Sequence, residues 1–312
     1  VPLFWGVMAI GILLFAGPPT CLLAQSIAIV GGTVYPVSGL KIEHGTVLVR
    51  DGRVVAVGND VTIPSDATRI DATGRWVTPG LIHAGSTLGL SDVGSVNATN
   101  EANHAGDINA AFNVAEGIDP ATPLIPIARL EGVTTAVTGP SRGLVSGQAV
   151  LIDLAGDRIE TLLARSPVAM VINLSEASKG AGGGSRAGVL QALRRLLNDA
   201  QEYGRRKEDF KRNQIQTLSA DGAELEALAP VLRGELPVLA IANRQSDIAS
   251  ALRLAREYRL KLLILGGVEA WKLAPELAAA KVPVILNPID DIPPFDGPGA
   301  RFDAAALLDQ AG

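Results

Sequence analysis

Short runs of β-branched residues, separated by turn signals, fill the chain between residues 26 and 78. Asp51 and Gly52 stand between two of these runs, and this pair is typical of a tight hairpin because a type I′ turn needs positive φ at both central residues. The pattern predicts a small β-sandwich module over residues 26–78. Its predicted strands lie within residues 27–35, 46–58 and 67–77.

The rest of the chain, residues 79–312, alternates continuous apolar runs with amphipathic segments. Runs buried on both faces and separated by helices indicate a parallel α/β sheet, here a (β/α) barrel of the TIM type. We count five or six strand-helix units, whereas a complete barrel has eight. We therefore expect an incomplete, truncated barrel with open sheet edges. The predicted strands lie at residues 133–137, 167–174, 237–243, 261–267 and 282–288.

The first 25 residues are mainly apolar and carry no charged side chain, and the small residue Ala24 near their end suits cleavage. This composition predicts a signal peptide over residues 1–25, and therefore a periplasmic or secreted protein that meets a membrane only through this segment. An uncleaved anchor is the alternative, although the apolar run is short for a membrane span. Cys21 is the chain's one cysteine, so cleavage would leave no thiol for a disulfide or a metal site.

Composition and charge narrow the classes of partner. The chain has 312 residues, of which 47% are hydrophobic, and its formal net charge is -5. The apolar fraction is sufficient for a large core, and the absence of a basic excess argues against nucleic acid as a partner. A charged run at residues 194–214 mixes acidic with basic residues, which favours a solvated helix on the outside of the barrel. A small molecule or another protein is the expected partner.

Several segments resemble one enzyme family. Gly-Gly-Thr-Val at 31–34, Asp-Gly-Arg-Val-Val-Ala-Val-Gly at 51–58 and residues 70–82 resemble, in order and spacing, the amino-terminal module of the amidohydrolase superfamily. Beyond that module, the chain is similar to the imidazolonepropionase-like branch. This resemblance implies a metal-dependent-hydrolase barrel and the hydrolysis of carbon-nitrogen bonds other than peptide bonds. The segments that carry the branch resemblance are residues 131–156, 172–180 and 232–288.

The chain departs from the family where its members carry metal-binding histidines. The resemblance places those histidines at Gly85, Thr87, Ile241 and Gly266. Glycine and isoleucine have no side-chain donor, so a different metal preference would not restore these positions. We therefore expect no metal cofactor, and a divalent metal such as zinc only if the site is rebuilt from other donors.

Three residues have side chains that could act as an acid or a base in a catalytic site. Glu176 matches a family glutamate that can contact metal, and Lys179 matches the family's lysine. Glu269 follows the strand that carries Gly266, and His83 shares the inward parity of positions 85 and 87 because side chains alternate along a strand. His83, Glu176 and Glu269 are the candidate acid/base residues. The alternative interpretation is that both glutamates are hydrogen-bonded loop carboxylates and that His83 is structural.

The residues leave open whether the chain is an enzyme. One hypothesis is a carbon-nitrogen hydrolase with a rebuilt site. Another is a catalytically silent protein, a pseudoenzyme that binds a small molecule or acts as a subunit, alone as a homo-oligomer or with a paralogous active amidohydrolase. An enzyme without metal that uses Glu176 or His83 as its base is a third, but no nucleophile with suitable spacing supports it. The replacement of histidine at all four family positions favours the catalytically silent protein.

Overall fold

The computed structural model describes residues 26–212, 217–287 and 292–312. The predicted signal peptide, residues 1–25, lies outside them. The chain divides into two compact units, the first ending at Pro79 and the second spanning Gly80–Gly312. Among the helices formed by the described residues, none combines the length and apolar character that crossing a membrane requires.

The first unit is built on one five-stranded sheet in which β1 is the central strand. β1 runs antiparallel to β2 and parallel to both β4 and β5. The hairpin predicted at Asp51-Gly52 is confirmed, since both residues have positive φ, 51° and 72°, and Arg50 pairs with Arg53. The strands are β1 Ser26–Val34, β2 Ile42–Arg50, β3 Arg53–Gly58, β4 Thr68–Asp71 and β5 Trp76–Val77.

The second unit contains a seven-stranded sheet whose spatial order follows the sequence, from β6 to β12. It is curled into a nearly closed barrel, because Gly85 in β6 lies against Leu265 in β11. All neighbouring strands are parallel except β8, which runs antiparallel to β7 and β9. The strands are β6 Leu81–Ser86, β7 Val133–Thr138, β8 Val145–Asp153, β9 Leu163–Asn173, β10 Val238–Ala242, β11 Leu262–Gly266 and β12 Val284–Leu286.

Strand β8 differs from the expectation of an all-parallel barrel. Gly143 and Gly147 give the stretch 141–148 the composition of a turn, but its second half forms the start of β8. Gly147 permits this because it has φ +133°, and a side chain there would collide with the backbone of Phe112. The strand therefore passes close to the loop that precedes it, which an ordinary residue would prevent.

Helices cover the outer face of the sheet. The segment 222–232 forms two short helices, α5 and α6, because Pro230 has no N–H to continue the first. The helices are α1 Leu124–Leu130, α2 Ile159–Leu162, α3 Arg186–Arg205, α4 Lys207–Lys211, α5 Gly222–Ala227, α6 Ala229–Leu232, α7 Gln245–Tyr258, α8 Ala274–Ala280 and α9 Ala304–Ala311. Short 3-10 helices lie at Asn97–Thr99, Val114–Gly117, Glu176–Gly182 and Ala270–Leu273.

Alternating side chains along the strands build two apolar layers. On β10, Val238 and Ala240 pack outward with the helices, whereas Leu239 and Ile241 pack inward. The outer layer includes the buried face of α3, on which Leu193 and Leu196 lie. The charged side of that helix faces outward, as its sequence predicted. The inner layer is aliphatic, and it forms the floor of the cavity described next.

Candidate functional site

A cavity of about 480 Å³ opens where the parallel strands of the barrel end. Its floor is formed by aliphatic side chains of β7 to β11, and hydroxyl groups and one imidazole lie at its rim. Among the residues that the structure describes, no Asp, Glu, Lys or Arg lines it. The lining residues are His83, Gly85, Ser86, Thr87, Leu88, Ser91, Leu124, Ala128, Val133, Val137, Gly139, Pro140, Ser141, Ala149, Val171, Leu239, Ile241 and Leu265.

The four positions where the family carries histidine converge on this region. Gly85, Thr87 and Ile241 line the cavity itself. Gly266 lines an adjoining cavity of about 630 Å³, which also includes Gly85 and Ile241. His83 lines both cavities, as its inward parity predicted. The positions that the resemblance singled out therefore lie around one region of the fold, and of the four only Thr87 has a side-chain oxygen.

The space in front of two of these positions is occupied. A Cβ atom added to Gly85 would lie 2.5 Å from Cδ1 of Leu265. Gly266 has φ +93°, a conformation that L side chains rarely adopt, and a Cβ atom there would collide with Oδ1 of Asn243. A side chain at either position would require the tip of its neighbour, a methyl group of Leu265 or the amide of Asn243, to move.

The donor set does not suit the divalent metal that the resemblance implies. Protein zinc sites use at least three His, Cys, Asp or Glu ligands. Within residues 26–212, 217–287 and 292–312, no three such residues lie close enough together to hold a metal ion. The cavity supplies a single imidazole, and aliphatic carbons form most of its surface. We therefore derive no chemical step through a metal.

His83 is exposed at the rim and lacks a charged partner. Its Nδ1 accepts a long hydrogen bond of 3.4 Å from the backbone N–H of Gly85. In the described part of the chain, no carboxylate forms a salt bridge or hydrogen bond with this ring. A general base is normally oriented by a second group, and here only the neighbouring backbone does so. The geometry fits a structural imidazole better than a catalytic one.

Glu176 lies at the start of the 3-10 helix after β9 and is held by two cations. Its Oε1 accepts a hydrogen bond of 2.9 Å from Lys179, and its Oε2 lies 3.2 Å from a guanidinium nitrogen of Arg186. The hydrogen bond from Lys179, more than any other contact, lowers the pKa of Glu176. A carboxylate stabilised in this way is a weak base, so its position does not support a role in proton abstraction.

Glu269 is buried and fully hydrogen-bonded. Its Oε2 accepts a hydrogen bond of 2.8 Å from the backbone N–H of Gln245. Its Oε1 accepts bonds of 2.8 Å from Lys272 and from the backbone N–H of Gly299. Burial by itself would raise the pKa of Glu269, but the bonds from Gln245 and Lys272 outweigh it and leave the pKa below its ordinary value. Glu269 is thus a structural carboxylate.

Both glutamates help to fasten the segment 292–303 across the ends of three strands. Asp296 in this segment accepts a hydrogen bond of 3.2 Å from the backbone N–H of Glu176 and forms a salt bridge with Arg186. Arg186 also bonds Asp247, at 3.0 Å. Burial raises the pKa of Asp247, although its bond to Arg186 opposes this. Sequence reasoning missed Arg186, Asp247 and Asp296, because no local pattern joins residues so distant in the chain.

Comparison with known proteins identifies several relatives. The solved structure of an amidohydrolase from Thermotoga maritima MSB8 has a TM-score of 0.79 and 27% identity, over 92% of this chain and 76% of that one. The amidohydrolase tasK of Hapsidospora irregularis is 27% identical over 262 residues, which is 75% of this chain. An imidazolonepropionase of Bradyrhizobium diazoefficiens is 47% identical over 45 residues, which is 14% of this chain. No family model matches the chain.

The matches cover unequal shares of the relatives. The chain spans 27% of the length of tasK and 11% of the length of the imidazolonepropionase. The similarity therefore covers only part of each of these two relatives. The activity of a full-length relative can be no more than a proposal for this chain.

The contact between Gly85 and Leu265 gives the first prediction. Gly85→His should lower the free energy of unfolding by about 1–3 kcal/mol, because the imidazole overpacks against Leu265. In the double variant with Leu265→Ala, the two effects should be less than additive, with a coupling of about 0.5–3 kcal/mol. Denaturant unfolding of the four proteins in this cycle measures it. Gly204→His, in open space on α3, is the control and should be additive with Leu265→Ala. Additivity at Gly85 would show that the two residues do not compete for space.

The hydrogen bonds of Glu269 give the second prediction. Its pKa in the folded protein is lowered from 4.5. The carboxylate therefore stabilises the fold fully above about pH 4.5, and this contribution is lost as the pH falls through the lowered value. Glu269→Gln should flatten the dependence of the melting temperature on pH below 4.5. Glu276→Gln, at an exposed position of α8, should keep the wild-type slope. An unchanged slope in Glu269→Gln would contradict this assignment.

Proposed function

Because the chain belongs to the amidohydrolase superfamily, we propose that it keeps the family's barrel as a binding scaffold and is catalytically silent in metal-dependent hydrolysis. The observation that carries this proposal is the convergence of Gly85, Thr87 and Ile241 on one cavity whose described lining contains no Asp, Glu, Lys or Arg. Hydrolysis of a carbon-nitrogen bond by this family's chemistry needs a Lewis acid and a group that moves a proton. The described residues of the cavity provide neither a set of metal ligands nor a paired base.

The packing also bears on this proposal. Leu265 lies in front of Gly85, so a side chain at position 85 would have to displace a methyl group of Leu265. The backbone conformation of Gly266, with φ +93°, disfavours any side chain there. The carboxylates that could rebuild a cage, Glu176 and Glu269, are already bonded to lysine, arginine or backbone N–H groups.

A carbon-nitrogen hydrolase is the second candidate function. The names of the relatives favour it, since they include amidohydrolases and an imidazolonepropionase. On this alternative, His83 would act as the base at the rim of the cavity. Its lack of a charged partner, described above, is the reason that we place it second.

The silent protein would work as a binding protein or as a subunit. It would hold a small molecule in the barrel, or it would assemble with a second copy or with an active paralogue. The apolar segment at residues 1–25 supports a periplasmic or secreted site of action. A net charge of -5 supports a partner other than nucleic acid.

Metal content and hydrolysis test the proposal directly. The full chain, purified without chelators or added metal, should contain well below one zinc, iron, nickel or manganese ion per molecule. It should not hydrolyse cyclic amides of the imidazolone or dihydroorotate type above the uncatalysed rate. Elemental analysis and an absorbance assay measure the two quantities, with the imidazolonepropionase of Bradyrhizobium diazoefficiens as the active control. One metal ion per chain together with turnover would overturn the proposal.

Restoring two ligands should not restore activity. The variant Gly85→His with Thr87→His still has Ile241 and Gly266 at the other family positions. It should remain inactive in the same assay with added zinc, because two of the four family ligands are too few to hold the ion. Circular dichroism confirms that the variant is folded before it is assayed, and Leu265→Ala can be added if the new imidazole disturbs the fold. Measurable zinc-dependent turnover would contradict the expectation.

A further inference from the structure

The aliphatic floor of the cavity limits the kind of ligand that the cavity can bind. Ala149, Val171 and Leu239 are buried there, with 0%, 2% and 4% of their surface exposed. Ile241 and Leu265 extend the same surface toward the opening. A buried charge costs several kcal/mol unless it is paired, and the lining residues that the structure describes include no Asp, Glu, Lys or Arg. Charged ligands are therefore disfavoured.

The rim of the cavity carries hydroxyl groups, whereas its floor is aliphatic. The hydroxyl groups of Thr87, Ser91 and Ser141 line the opening, and no side-chain hydrogen bond within the described part of the chain involves them. The hydroxyl of Ser86, by contrast, accepts a bond of 3.1 Å from the backbone N–H of Leu88. Three hydroxyl groups at one end of an apolar cavity can orient a ligand that carries one polar group.

We propose that this cavity binds an uncharged, mainly apolar small molecule whose hydrogen-bonding group lies against the hydroxyls of Thr87, Ser91 and Ser141. A volume of about 480 Å³ falls within the range of small-molecule pockets. The proposal rests on the proposed function in one respect: it takes the cavity to be a binding site and not a hydrolytic centre.

Two fluorescent probes that differ by one charge test the ligand class. N-phenyl-1-naphthylamine is uncharged, and 8-anilinonaphthalene-1-sulfonate has the same ring system with a sulfonate. Titrated into the full chain, the uncharged probe should bind saturably at one site. The sulfonate should bind at least about tenfold more weakly, because its charge would be desolvated without a partner. Equal binding of the two probes, or no saturable binding of the uncharged one, would overturn the proposal.

A matched pair of variants locates the bound probe. Ile241→Phe fills the cavity and should weaken binding of N-phenyl-1-naphthylamine at least about tenfold. Ile127→Phe makes the same change on the exposed face of α1, where 55% of Ile127 is accessible, and should leave binding unchanged. If Ile241→Phe does not fold, as judged by circular dichroism, Val137→Phe fills the cavity from β7. Equal binding by a folded cavity variant and the control would place the probe elsewhere and refute the proposal.

The rim hydroxyls need a separate measurement. Thr87→Val keeps the shape of the side chain and removes its hydroxyl group. It should weaken competition by 1-naphthol about threefold while leaving competition by naphthalene unchanged, since one net hydrogen bond is lost. An equal effect on both competitors would refute the role of Thr87.

The two proposals fail in distinguishable ways. Stoichiometric metal with turnover would overturn the silent barrel, whatever the probes show. Absence of saturable probe binding, in a folded protein without metal or turnover, would overturn the ligand class alone.

Discussion

Leu265 packs against Gly85 where the barrel curls back on itself, and this contact shapes the inner surface of the cavity. β11 brings a branched aliphatic side chain to within 2.5 Å of the position of a Cβ atom on β6, so a larger residue there would have to displace the tip of Leu265. Ile241 and Leu239 from β10 continue the aliphatic surface, whereas hydroxyl groups and His83 lie at the opening. The inner surface is therefore mainly aliphatic.

The charged residues at the same end of the barrel form ion pairs and hydrogen bonds with one another and with the backbone. Glu176, Asp247 and Asp296 surround Arg186, and Glu269 receives three hydrogen bonds from neighbouring loops. These contacts satisfy carboxylates that would be costly to bury alone. They also tie the segment 292–303 to the loops after β9, β10 and β11. A group saturated in this way has little capacity left to bind a metal ion or to accept a substrate proton.

Local patterns predicted much of the fold. The Asp51-Gly52 hairpin follows from the dihedral angles of two residues, and the buried strands β9 to β11 follow from continuous apolar runs. The antiparallel strand β8 was missed because its glycines suggest a turn, and only the nearby backbone of Phe112 explains Gly147. His83, Gly85 and Thr87 line one cavity, as their shared parity predicted, although Ser86 and Leu88 line it as well. The sequence allowed both glutamates to be hydrogen-bonded loop carboxylates, but it did not predict their partners. Glu269 meets Gly299 across 30 residues and Arg186 meets Asp296 across 110, distances over which sequence carries no pairing signal.

Anomalous diffraction at the zinc absorption edge, from crystals of the full chain grown with zinc chloride, tests whether the mouth of the barrel holds a metal ion. We expect no anomalous peak at coordination distance, about 2.0–2.3 Å, from the side chains that surround positions 85, 87, 241 and 266, and we expect Leu265 in contact with Gly85. A strong peak at the mouth of the barrel, bound by His83 together with Glu176 or Glu269, would contradict this expectation.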